Sequence, residues 1–85
     1  MKFVASIDIM PHKELLDPQG KTIARNLHNV DIHGVESVRI GKHIEMTLES
    51  ESQADAESRV EDACKKLLAN LIMETYHYSV VKVTE

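Results

Sequence analysis

The chain has 85 residues, enough for one domain and one modest core. Its 42% hydrophobic content suits a globular fold, and 10 basic against 14 acidic residues leave a net charge of −4. Mild acidity argues against a nucleic-acid partner, which needs a basic face. The single cysteine excludes an intramolecular disulfide and points to a reducing compartment. Ser6, Asp8 and His12 interrupt any apolar leader, so neither a signal peptide nor a membrane span is expected, and a cytoplasmic location follows.

Residues 2–10 alternate as a strand does. Phe3, Ala5, Ile7 and Ile9 share one face, and Lys2, Val4, Ser6, Asp8 and Met10 the other. Pro11 ends the run, and His12 to Glu14 read as a loop. Leu15-Leu16-Asp17-Pro18-Gln19-Gly20-Lys21 then turns strand into helix. Asp17 has the short carboxylate of an N-cap, and Pro18 suits the first helical position. Gly20 costs such a helix roughly 1 kcal/mol relative to Ala, so a close approach to its backbone is expected. Ile23, Ala24 and Leu27 make one apolar stripe to about Asn29, and Asp31 to Gly34 form a turn-rich link.

Residues 35–49 read as two strands. Val38 and Ile40 share a face in the first, a tight turn falls at Gly41-Lys42, and Ile44, Met46 and Leu48 alternate with Glu45, Thr47 and Glu49 in the second. Ser52-Gln53-Ala54-Asp55 resembles a capping box with Asp for Glu. The helix after it carries a continuous apolar face of Ala56, Val60, Ala63, Cys64, Leu67, Leu68 and Leu71. Glu61 with Lys65, and Asp62 with Lys66, are acid-first pairs four apart, and Asn70 is a stop. Thr75 to Val83 form a last strand, with Tyr76, Tyr78 and Val80 on one side and Val81 and Val83 on the other. The order predicts an α+β fold: a ferredoxin-like βαββαβ two-layer sandwich, an antiparallel sheet with two helices on one face, in one domain over 1–85. Apolar Val4, Met10, Val81 and Val83 on the other sheet face suggest self-association there.

Catalytic constellations are not found in the sequence. Cys64 lies in an apolar stripe and reads as core. His12, His28, His33, His43 and His77 lack metal-type spacing. Gly20-Lys21-Thr22 lacks the earlier glycine of a phosphate loop. No CxxC follows the first strand, no Gly/Arg phosphate loop is present, and the aromatics of an RNA-binding sheet are missing. Elimination leaves a binding or assembly module. One form of it is a free-standing regulatory domain that binds a small metabolite between paired sheets.

Leu16-Asp17-Pro18-Gln19-Gly20-Lys21, Val38-Arg39-Ile40-Gly41-Lys42, and Cys64 to Asn70 with Glu74 and Tyr76 together resemble the PurS family, the small subunit of phosphoribosylformylglycinamidine synthase. The resemblance covers nearly the whole chain. Leu71 stands where the family often has Pro, and Asp31 to Gly34 departs from the usual glycine-containing link. The resemblance implies a chain without catalytic, metal or cofactor-binding residues of its own, in a complex that converts formylglycinamide ribonucleotide to formylglycinamidine ribonucleotide. ATP and Mg are expected on the large synthetase subunit, and ammonia comes from a glutaminase subunit. The small subunit is then a homodimer or homotetramer that bridges the other two, with no nucleic-acid or membrane partner. Asp17, Gln19, Gly20, Lys21, Arg39 and Lys42 are the candidate contacts to the larger subunits. If capping is the whole purpose of Asp17, Asp17→Ala lowers stability by about 1 kcal/mol in urea denaturation.

Overall fold

A computed structural model describes residues 1–13 and 18–84. Strand β1 spans Lys2–Pro11, helix α1 Pro18–Asn29, strand β2 Lys42–Glu49, helix α2 Gln53–Ala63 and strand β3 Glu74–Lys82. A π-helical turn, Cys64–Leu68, continues α2. The sheet is antiparallel throughout, in the order β2-β1-β3.

β1 is central because its alternation offers both neighbours an unbroken apolar row. Phe3, Ala5, Ile7 and Ile9 are fully buried. Ala5 lies opposite Met46 and Val80, and Ile7 opposite Ile44 and Tyr78, so the three strands present one apolar face. α2 closes that face with Ala56, Val60 and Cys64. Gln53 donates to the Val80 carbonyl at 2.8 Å on one flank, and Arg59 to the Glu49 carbonyl at 2.6 Å on the other.

The helix ends follow the residues at them. Ser52 caps α2 by accepting the Asp55 N–H at 3.1 Å. The Asp55 carboxylate takes the Ser50 hydroxyl, so the capping box closes one residue pair further back than its sequence suggests. α1 ends in a Schellman motif: the Ile32 N–H reaches the Leu27 carbonyl at 2.9 Å and the Asp31 N–H the His28 carbonyl at 3.2 Å. Asp31 takes the left-handed conformation this requires, with φ 63°.

Three expectations need correction. The segment 35–40 does not form a strand, and among the described residues the sheet has three strands where four were expected. Gly41 does not turn a hairpin, and its φ is not positive. Its backbone instead presses on the end of β1, where a Cβ would collide with the Ile9 carbonyl and the Met10 sulfur. The apolar face of the second helix does not run on to Leu71. The wider π turn rotates Leu67 into solvent (82% exposed), half-buries Leu68 and buries Ala69.

The two helices also differ in their relation to the sheet. α2 lies on the apolar face, but no residue of α1 enters the core cluster. α1 and residues 30–41 form an arm beyond the end of β1, and the chain measures 51 × 31 × 14 Å. Gly41→Ala should cost about 1–3 kcal/mol through overpacking against the Ile9 carbonyl. Urea denaturation followed by circular dichroism measures it, and an unchanged midpoint would refute the close approach.

Candidate functional site

The root of the arm is where the candidate contact residues gather. Arg39 donates from its guanidinium to the Pro11 carbonyl, and the Lys42 ammonium lies 3.6 Å from the Glu74 carboxylate. The His12 N–H reaches the Met73 carbonyl at 2.9 Å, and Glu74 accepts the Asn70 N–H at 2.8 Å. The end of β1, the start of β2 and the turn before β3 thus lock together, and the arm leaves from that junction. Arg39 and Lys42, expected as partner contacts, are engaged within the chain, while their side chains stay largely exposed.

On α1, Gln19 and Lys21 are exposed. Gly20 is buried, and it falls on the same stripe as Ile23, Ala24 and Leu27, three, four and seven residues on. Pro18, Gln19, Thr22, Ile23 and Ile40 line a shallow apolar groove between α1 and the returning chain. The glycine in the first turn therefore belongs to the packing side of the helix. Asp17, the expected cap, lies outside the described residues.

The four residues expected to mediate self-association are not one patch. Val4 and Val81 face each other across β1 and β3, and the Val83 N–H bonds to the Lys2 carbonyl beside them. Met10 sits at the far end of β1, against Gly41. Between them run polar rungs: Glu45, Ser6 and Ser79, then His43, Asp8 and His77. Asp8 and His43 are joined at 2.6 Å. Among the described residues, no group of three His, Cys, Asp or Glu side chains is placed to hold a metal ion.

Pattern reading missed a second apolar surface. Leu67, Leu71, Ile72 and Met73 are exposed around the π turn. Leu67 and Leu71 fall on the helical stripe by spacing alone, so only the change of pitch reveals them.

Beside that corner sits a hydrogen-bonded cluster between α2 and β3. The Tyr76 hydroxyl donates to Glu61 at 2.7 Å, and Lys65 lies 3.4 Å from the same carboxylate. The Tyr76 bond holds the Glu61 carboxyl below its ordinary value of 4.5. The same bond pushes Tyr76 up to about 12. Burial raises the Cys64 thiol, which keeps it in the unreactive protonated form.

The family profile described as PurS: Phosphoribosylformylglycinamidine (FGAM) synthase matches residues 4–82. The chain belongs to the PurS family. It is 42% identical over 71 residues to the phosphoribosylformylglycinamidine synthase subunit PurS of Bacillus subtilis, covering 84% of this chain and 83% of that one. The Methanocaldococcus jannaschii subunit is 35% identical over 81 residues, covering 95% and 98%. A chain in the solved structure of PurLQS from Thermotoga maritima superposes with a TM-score of 0.88 at 32% identity, covering 95% of this chain and 99% of that one.

The cluster gives a prediction with a definite sign. The raised Tyr76 pKa contributes stability that is present below pH 10 and lost as pH climbs toward 12. The lowered Glu61 pKa contributes stability that is lost as pH falls below 4.5. Tyr76→Phe should therefore move the Glu61 titration up toward 4.5, read from its side-chain carboxyl carbon by NMR. An unmoved titration would mean that Tyr76 is not the dominant partner.

Proposed function

We propose that this chain is the small subunit of a phosphoribosylformylglycinamidine synthase, the purine-biosynthetic ligase that makes formylglycinamidine ribonucleotide with ATP and glutamine. The observation that carries this reading is the near full-length likeness to a chain of the Thermotoga maritima PurLQS structure, at a TM-score of 0.88. The chain bridges a large synthetase and a glutaminase, and so helps ammonia pass between them. ATP and Mg bind the synthetase, and the reaction is carried out on the larger subunits. The protein works in the cytoplasm, and no helix among its described residues is long and apolar enough to cross a membrane. It acts as a homodimer or homotetramer. The regulatory-module reading has no observation in its favour.

Two features support a scaffold. The arm and the corner at Leu67 to Met73 expose separate apolar surfaces, as a chain that touches several neighbours requires. The outward side of α1, with Lys21 and Arg25, stays free for a larger, acidic partner surface.

Mixing the protein with the synthetase and glutaminase of the same organism tests the reading. Gel filtration should show one complex, and glutamine-dependent activity should require this chain. Full activity without it would refute the bridging role. Lys21→Glu should weaken that complex about tenfold, as expected for a rim charge, and leave the circular dichroism spectrum unchanged. Lys21 suits this test better than Arg39, whose bond to the Pro11 carbonyl gives it a part in holding the arm.

A further inference from the structure

Two histidines of the arm meet where helix α1 ends. A spacing of five puts His28 and His33 on no common helical face, and the turn after α1 is what joins them. The Schellman bonds of Ile32 and Asp31, the left-handed Asp31 and Gly34 at φ 85° fold the chain back beside the last turn. His33 then stands against His28, with ring centroids 4.7 Å apart and planes at 76°. Their two Nδ1 atoms lie 3.1 Å apart. Both side chains are exposed, so water reaches the pair.

That separation fits a chelate as well as it fits a hydrogen bond. With metal–nitrogen bonds of about 2.0–2.1 Å, two nitrogens 3.1 Å apart subtend roughly 95–100° at an ion between them. The angle suits two neighbouring positions of an octahedral or compressed tetrahedral shell, with water in the others. Asp31 adds a second, independent feature. Its Oδ1 lies 3.9 Å from Nε2 of His33, on the far side of the ring. A carboxylate there favours the proton on Nε2 and leaves the Nδ1 lone pair turned toward His28, and metal-bound imidazoles commonly have such a carboxylate behind them. In the metal-free pair His28 then keeps its proton on Nδ1 and donates it to His33. His28 also sits in the last turn of α1, where the unpaired carbonyls of the helix end favour positive charge.

We propose that His28 and His33 chelate a divalent transition-metal ion of the Zn2+, Ni2+ or Cu2+ class through their Nδ1 atoms, with Asp31 as a positioning residue behind His33. On binding, the His28 proton moves from Nδ1 to Nε2, and both Nδ1 lone pairs turn to the ion, a small rotation for exposed rings. Imidazole nitrogen selects these ions over Mg2+ and Ca2+, which prefer oxygen. Once bound, the ion ties the last turn of α1 to the chain that leaves it. Elsewhere, Nδ1 of His43 is engaged by Asp8 at 2.6 Å, and His12 lies 3.4 Å from the Leu71 carbonyl. The site is tested on the purified chain alone, so its outcome is independent of whether the larger subunits are bridged.

The test is a calorimetric titration of the chain with Zn2+, with Mg2+ as the control. One Zn2+ should bind per chain, and Mg2+ should not bind. His28→Gln and His33→Gln should each abolish the binding, and His43→Gln and His77→Gln should leave it unchanged. Asp31→Asn, which tolerates the left-handed backbone, should weaken it about tenfold. Circular dichroism spectra should be the same for all five variants. Long-range 1H–15N spectra of the histidine rings should place the ion on Nδ1 of His28 and His33, with Nε2 protonated in both. No Zn2+ binding, equal binding of Mg2+, binding that survives His28→Gln or His33→Gln, binding lost in His43→Gln or His77→Gln, or an ion on Nε2 would each overturn the site.

Discussion

The architecture depends on the close approach of the Gly41 backbone to the end of β1. Nothing larger than a hydrogen fits there, because the Ile9 carbonyl and the Met10 sulfur already fill the space. With Arg39 bound to the Pro11 carbonyl, that contact decides where the chain goes before it enters β2. It sets β2 in register, with Ile9 opposite Lys42 and Ile7 opposite Ile44. It also carries residues 30–40 outward, so that α1 sits at the end of a 51 Å molecule and not on the sheet.

What remains on the sheet is a small core. Phe3, Ala5, Ile7 and Ile9 meet Ala56, Val60 and Cys64, and half-buried side chains of β2 and β3 complete it. Such a core is thin for 85 residues, because surface burial falls steeply as domains shrink. Exposed apolar side chains at the arm and at Leu67 to Met73 are the counterpart of that thinness. Exposed surfaces of this kind suit a protein whose proposed task is to hold larger subunits together.

The polar groups follow the same division. Tyr76, Glu61 and Lys65 form a satisfied cluster that ties α2 to β3, and the displaced pKa values of Glu61 and Tyr76 follow from that bond. Displaced values often mark reactive sites, but here each shift is accounted for by a partner that also holds two elements together.

Both helices and three of the four expected strands were legible in the sequence, because strand and helix periods are local, whereas the strand expected at 35–40 did not form. Phe3 to Ile9 alternate, Ser52 caps, and Ile23 to Leu27 repeat, whatever surrounds them. The family was legible too, since its motifs are local strings. The π turn was not, because a change of pitch at Cys64 leaves the spacing of Leu67, Leu68 and Leu71 untouched while rotating them in space. Nor was the role of Gly41: a glycine before a strand reads equally well as a turn or as a close approach, and only the neighbour across the gap distinguishes them. The candidate contacts divided in the same way. Lys21 lies on the exposed side by periodicity alone, whereas the partners of Arg39 and Lys42 come from Pro11 and Glu74, far along the chain. Sequence by itself determined which residues want to be buried. Tertiary structure decided which of them the chain can bury alone, because that depends on the direction in which one tight contact sends the arm.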